Sequence, residues 1–223
     1  MLRDSARYEV ARTPKSNKGS KLLTAIFAIL LIGVPGAGYY LYRDTPGLVR
    51  HVRARDGLAV ASIQLLALKG APLDSQELLL EALVDANMSP RFREGAAKCL
   101  GKLKLEDALI NRTLGQSSAE DPSPLVRAAA LRAIGDNGYA TMARDPLRRA
   151  FREEQDEDVK CAAAYAVGKL GLRDMIPEVM TLLSSTRNHV RSAGVEALET
   201  FTNPGETYGQ DRKAWLEWYE KNG

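Results

Sequence analysis

The sequence predicts an all-α fold: an α-solenoid of about five helical hairpins, preceded by a single transmembrane helix and closed by a short helix that carries both tryptophans. Three observations predict it: a pattern that returns every 31 to 34 residues, a segment of 21 residues without a charge, and a tail that departs from the repeat. A period in this range is typical of stacked helical hairpins, in which each unit needs its neighbours to cover its apolar faces.

Residues 1–20 are predicted to form a disordered basic tail. They are polar and show no sustained helical stripe of apolar side chains. Residues 1–21 hold six bases and two acids, which leaves 25 bases and 26 acids for the rest of the chain. The remainder is therefore close to neutral, and this argues against nucleic acid as its main partner, since phosphate binding needs a net basic surface.

Residues 21–43 are predicted to hold the transmembrane helix. The uncharged stretch of 21 residues from Leu22 to Tyr42 would span about 31 Å as a helix, enough to cross a bilayer. The residues expected to anchor it in the lipid bilayer are Leu22, Phe27, Leu31, Tyr39, Tyr40 and Tyr42. A cleaved signal peptide is the alternative, with Leu22–Ile32 as its apolar core and Gly36-Ala37-Gly38 as its cleavage site.

The charges that flank this segment predict its orientation. Six bases precede it, four closely follow it, and the larger number favours a cytoplasmic N-terminus. The predicted location is a bacterial inner membrane, crossed once, with the repeat array in the periplasm. A cytoplasmic array is the alternative.

Residues 44–202 are predicted to form the repeat array. Each copy has an apolar reference residue, and these are Val60, Phe92, Val126, Val159 and Val190. The predicted helix pairs are Thr45–Arg55 with Leu58–Leu68, Ser75–Asp85 with Pro90–Leu103, Glu106–Leu114 with Pro124–Ile134, Ala140–Glu154 with Asp158–Leu170, and Met175–Ser184 with His189–Phe201. Nine positions after the reference residue, three copies have a glycine (Gly101, Gly135 and Gly168), which predicts a left-handed helix end.

This pattern resembles the HEAT-like repeat of the type first noted in phycobilisome lyases, whose signature is roughly Asp-x-x-Val-Arg-x-x-Ala-x-x-Ala-Leu-Gly. The match extends from Thr45 to Phe201 and is clearest in the third and fourth copies. The resemblance implies a right-handed solenoid whose second helices line the concave side. It also implies a surface that grips another protein, with lyase-like cofactor attachment as a second possibility and nucleic-acid binding, known in some relatives, as a third.

A base follows the reference residue in four of the five copies, at Arg93, Arg127, Lys160 and Arg191. One interpretation is a ladder in which each base pairs with an acidic loop residue, such as Asp121, Asp156 or Asp158. The other is a basic inner surface that receives an acidic segment of a partner. The two interpretations are compatible.

Residues 203–223 are predicted to be a capping segment. A turn at Asn203-Pro204-Gly205 and a cap at Asp211 precede a short helix with Trp215 and Trp218. A spacing of three residues places both indoles on one helical face. They are expected either to cover the open end of the array or to bind a partner.

The sequence predicts no catalytic residues, no metal site and no cofactor. The two histidines, His51 and His189, lie at opposite ends of the array, and Cys99 and Cys161 are expected to be buried free thiols. The predicted function is therefore a non-enzymatic, membrane-anchored adaptor that holds another protein within a multi-subunit envelope complex. The alternative is a lyase-like or cofactor-attachment factor.

Overall fold

The computed structural model describes residues 45–222, which form eleven α-helices and three 3₁₀ turns. The helices are α1 (Thr45–Ala54), α2 (Ala59–Lys69), α3 (Gln76–Val84), α4 (Pro90–Lys102), α5 (Ala108–Glu120), α6 (Pro124–Asn137), α7 (Ala140–Glu153), α8 (Glu157–Leu170), α9 (Ile176–Met180), α10 (Asn188–Glu199) and α11 (Arg212–Asn222). Odd and even helices up to α10 pair as five hairpins, and α2, α4, α6, α8 and α10 pack on one another in series. The described part of the chain is thus an all-α repeat fold.

The prediction of a transmembrane helix is wrong, because among residues 45–222 no helix is long and apolar enough to cross a bilayer. The longest helices there, with 14 residues each, extend about 21 Å, which is less than the bilayer core of about 30 Å. The predicted single-pass location in a bacterial inner membrane is wrong for the same reason. The residues assigned to the anchor, Leu22, Phe27, Leu31, Tyr39, Tyr40 and Tyr42, lie outside the described residues, as does the tail of residues 1–20.

The first copy of the repeat is placed one residue earlier than the sequence pattern indicated. In α2 the fully buried reference position is Ala59, whereas Val60 is half-buried and Leu68 is 76% exposed. Ser62, Ile63, Leu66 and Ala67 then occupy the buried positions that the later copies fill at the same offsets. The helix face that packs on α4 selects this register.

The three glycines that lie nine positions after the reference residue do not end helices. Gly101, Gly135 and Gly168 lie inside α4, α6 and α8, and the left-handed residues that follow α6 and α8 are Gly138 and Gly171, with φ of 85° and 65°. A Cβ on Gly101 would lie 2.7 Å from the Cα of Ala133 in the next even helix. These glycines therefore permit close approach between consecutive even helices.

Two helices differ from the prediction by four residues or more at one end. The polar stretch after Leu114, predicted to be a loop, continues α5 to Glu120, because Ser117 and Ser118 are buried and the Ser118 hydroxyl donates to the Gly115 carbonyl over 2.7 Å. The helix predicted from Met175 to Ser184 is instead the short α9 between two 3₁₀ turns.

The C-terminal segment contacts the last hairpin of the array. Asp211 Oδ1 accepts from the backbone N–H groups of Lys213 and Ala214 over 2.9 and 3.1 Å, and so caps α11. Arg173 donates to the carbonyls of Phe201 and Asn222, over 3.1 and 3.3 Å, and ties the segment to the last hairpin.

Candidate functional site

The base of the second repeat is buried in an ion pair between repeats. Arg93 Nε and Nη2 donate to the two carboxylate oxygens of Asp121 over 2.7 and 3.0 Å, and Nη1 donates to the Met88 carbonyl over 2.5 Å. The side chains of Arg93 and Asp121 are only 5% and 7% exposed. This bidentate ion pair fixes the relative orientation of the two side chains, and it links α4 to the loop before α6.

The base of the third repeat makes the same connection one step further along. Arg127 donates through Nε and Nη2 to the two carboxylate oxygens of Glu154, over 2.7 and 3.0 Å, and through Nη1 to the Asp121 carbonyl over 2.9 Å. Arg191 in the fifth repeat donates to Gln210 Oε1 over 2.7 Å and to the carbonyls of Ser185 and Thr186. Arg93, Arg127 and Arg191 thus form a ladder along the edge where the hairpin loops lie.

Lys160 interrupts this ladder. Its side chain is half-buried and makes no hydrogen bond or ion pair with any residue in the described range. Asp121 and Glu154 stand five positions before the next reference residue, and Ser185 takes that position in the fifth repeat. The Ser185 hydroxyl donates instead to Glu157 over 2.8 Å. The predicted partner-binding role of the four bases stays a prediction, and three of them have a structural role in the array.

The Arg127–Glu154 pair predicts a pH dependence of stability. Burial opposes ionisation of Glu154, but the hydrogen bonds from Arg127 and from the backbone N–H groups of Asp156 and Gln155 prevail and hold its pKa below the ordinary value of 4.5. The stabilisation is therefore complete above about pH 4.5 and is lost as the pH falls through the lowered pKa. Glu154→Gln is expected to unfold more readily than the unaltered chain at pH 7, with the difference shrinking toward pH 3. Urea titrations between pH 3 and 7 would measure it, and a constant difference would contradict the assignment.

The tryptophans face the interior. Trp215 is fully buried and Trp218 is 6% exposed. Trp215 donates its indole N–H to the Gly209 carbonyl over 2.8 Å and lies edge-on against Tyr208 and Trp218, with ring centroids 5.0 and 5.8 Å apart. A partner could reach these rings only by displacing α11. Their predicted partner-binding role remains untested.

The thiols are poorly placed for nucleophilic chemistry. Cys99 and Cys161 are both free and buried, and burial raises the pKa of Cys99 to about 12 and that of Cys161 to about 11. Because the thiolate is the reactive form, both cysteines are protonated and inert at neutral pH. Within residues 45–222 no cluster of His, Cys, Asp or Glu is arranged to hold a metal ion.

The exposed face of the even helices contains a second periodic row. Six positions after the reference residue stand Lys98, Arg132, Tyr165 and Glu196, one on each of α4, α6, α8 and α10, and all four are exposed. Sequence reasoning missed this row, although its constant offset was visible, because its residue types differ from copy to copy. We call this surface the even-helix face.

Tyr165 is held rigidly at the centre of this face. Its hydroxyl donates to Asp136 Oδ1 over 2.6 Å, and the Arg132 guanidinium lies 5.5 Å from its ring centroid. The hydrogen bond to Asp136, followed by burial, raises the pKa of Tyr165 to about 12. The phenol therefore stays neutral, and Arg132 is positioned over an aromatic surface without neutralising its charge.

A groove of about 410 Å³ lies between α8 and α10 on the even-helix face. Its floor consists of small residues, namely Cys161, Gly168, Ala193 and Ala197, and its rim carries Arg132, Tyr165, Lys169, Glu196 and Thr200. A second cavity of about 480 Å³ continues it toward Asp158 and His189. An apolar floor with a few polar groups around it is the usual composition of a binding site.

Comparison with protein families supports the repeat assignment. Residues 111–199, from α5 to the end of α10, match the family model of HEAT repeats. No curated protein matches the chain. This part of the chain therefore carries HEAT-like repeats, a class that generally mediates protein–protein interaction, while the resemblance to the phycobilisome-lyase type gains no support.

Proposed function

We propose that the HEAT-like array is a non-enzymatic scaffold that holds another protein on its even-helix face. The observation that carries the proposal is a difference in charge pairing between this face and the edge of the array where the hairpin loops lie. At the loop edge, Arg93 and Arg127 are paired with carboxylates of the chain itself. On the even-helix face, Lys98 pairs with Glu94 of its own helix, whereas Arg132, Lys169 and Glu196 make no ion pair with any described residue.

Unpaired charges around an aromatic ring are suited to recognition. Tyr165 presents a flat, rigid surface, and aromatic and arginine side chains are enriched where binding energy concentrates. Because Asp136 already fixes the phenol, a partner would lose little side-chain entropy in ordering it. The lyase-like alternative lacks a comparable observation, since both thiols are protonated at neutral pH.

Site-specific photo-crosslinking tests the proposal. A photoreactive benzoylphenylalanine would replace Lys98, Arg132 or Glu196 in the full chain, expressed in its native cell. Matched positions on odd helices are Glu81 in α3 and Arg112 in α5, both exposed. We expect one protein, identified by mass spectrometry, to crosslink at the even-helix positions and not at Glu81 or Arg112. Adducts only at Glu81 or Arg112 would contradict the choice of face, and no adduct at any position would contradict the scaffold.

A further inference from the structure

The joint between the fourth and fifth repeats differs from the two joints before it. The ladder is interrupted there, because Lys160 has no described partner and Ser185 replaces the carboxylate. Glu157 and Asp158 at the start of α8 instead contact Ser185, Arg187 and His189. The helices are also less tightly packed. A Cβ on Gly101 or Gly135 would lie 2.7 or 2.8 Å from a backbone Cα of the next even helix, whereas a Cβ on Gly168 would lie 3.3 Å from the Cα of Ala197. The backbones of α8 and α10 thus approach each other less closely at this glycine than those of α4 and α6 or of α6 and α8, although Thr200 Oγ1 and the Ala197 carbonyl would still lie 3.0 and 3.2 Å from the added Cβ.

The groove and the cavity that continues it lie at this joint. Both are lined by Arg132, Cys161, Ala193 and Glu196, so they form one trough between α8 and α10. Tyr165 and Lys169 lie along its first part, and His189 lies along its second. The small floor residues leave room for an inserted side chain of modest size.

The charges of the trough are arranged by sign. Arg132 and Lys169 supply two cations, and neither makes an ion pair with a described residue. Glu196 supplies an anion that is equally unpaired among the described residues. The Asp158 carboxylate already has partners, since it lies 2.8 Å from His189 Nε2 and 3.8 Å from the guanidinium Nη2 of Arg187. The lining of the trough therefore offers a ligand the two cations and Glu196, while the Asp136 carboxylate beside it accepts the hydrogen bond of Tyr165.

We propose that this trough binds a peptide segment of another protein that carries both an acidic and a basic residue. The acidic side chain pairs with Arg132 and Lys169, a small aliphatic side chain enters the floor at Ala193, and the basic side chain pairs with Glu196. The inference rests on the proposed scaffold function and specifies the partner that the even-helix face recognises.

The mixed charge favours a peptide over a polyanion. A nucleic acid would bring phosphates close to Glu196 and Asp158, which would repel them. A peptide with charges of both signs can pair with the cations Arg132 and Lys169 and with the anion Glu196. A peptide in the opposite orientation would bring like charges together and would bind more weakly. The trough thus selects a sequence pattern rather than net charge.

Peptide selection on the full chain tests the inference. A phage-displayed library of random 12-residue peptides would be enriched on the unaltered protein, and the enriched peptides would be measured by fluorescence anisotropy. We expect them to share an acidic and a basic residue flanking a small aliphatic one. Arg132→Glu and Glu196→Lys are each expected to weaken binding at least about tenfold, which corresponds to about 1.4 kcal/mol. The matched controls Arg112→Glu and Glu81→Lys are expected to leave binding unchanged.

A charge-swapped pair completes the experiment. The double variant Arg132→Glu with Glu196→Lys is expected to bind peptides in which the acid and the base are exchanged, which a merely misfolded protein could not do. Enriched peptides without the charge pattern, binding unaffected by either reversal, or no enrichment would each overturn the inference. Photo-crosslinking at Lys98 separates the two proposals, because a persisting adduct there would preserve the scaffold function while the trough assignment failed.

Discussion

Replacement of Asp121 by alanine is expected to lower the free energy of unfolding by about 3–5 kcal/mol. The change would leave the Arg93 guanidinium in the interior, with its side chain 5% exposed, without the carboxylate that accepts two of its hydrogen bonds. An uncompensated buried charge costs far more than the lost contact alone. Urea denaturation followed by circular dichroism would measure the change.

Two variants serve as controls for Asp121→Ala. Asp174 also accepts hydrogen bonds from an arginine, Arg144, but its side chain is 41% exposed, so Asp174→Ala is expected to cost only about 0–1 kcal/mol. The double change Arg93→Met with Asp121→Leu removes both charges and is expected to recover most of the loss. A cost for Asp121→Ala no larger than that for Asp174→Ala would show that the pair between repeats contributes little.

The substitution Gly101→Ala is expected to destabilise the array by about 1–3 kcal/mol, although alanine is the better helix former. The added methyl group would lie 2.7 Å from the Cα of Ala133 and 3.0 Å from its carbonyl oxygen. These are backbone atoms, so α4 and α6 would have to move apart along the stack. Thermal and urea denaturation would both report the change.

Gly115→Ala is the matched control for Gly101→Ala. Gly115 also lies inside a helix, α5, but a Cβ there would meet only the side chain of Pro146, at an ordinary 3.6 Å. This variant is expected to gain up to about 1 kcal/mol from helix propensity. Equal effects of the two substitutions would mean that the close approach of the even helices does not constrain residue 101.

The ends of the helices could be predicted only where a local signal specified them. Asp211 Oδ1 caps α11 by accepting from the N–H groups of Lys213 and Ala214, as the sequence predicted. The extension of α5 beyond Leu114 was not predictable, because its polar residues are buried by packing that the local sequence does not reveal. The one-residue shift in α2 has a similar origin, since Val60 and Ala59 are both acceptable as apolar reference residues.

The candidate site was predictable only in part. The bases of the ladder were visible as a repeated residue type, but their pairing with Asp121 and Glu154 depends on loops 27 or 28 residues away along the chain. The row of Lys98, Arg132, Tyr165 and Glu196 shares an offset but no residue type, so no compositional signal identified it. For Trp215 and Trp218 the residue type and spacing were visible, but they did not show whether the rings are interior or exposed. The structure places both in the interior.

The stacked helical hairpins of residues 45–201 could be predicted from the sequence pattern, because regularly spaced apolar side chains can be buried only between neighbouring repeats. Which side chains remain available to a partner could be read only from the contacts between repeats. Exposure and charge pairing depend on which side chains the next repeat brings close to each residue. The next repeat brings the Asp121 carboxylate to Arg93, whereas no carboxylate of a described residue forms an ion pair with Arg132. That difference arises from contacts between repeats, which a periodic pattern within one repeat does not encode.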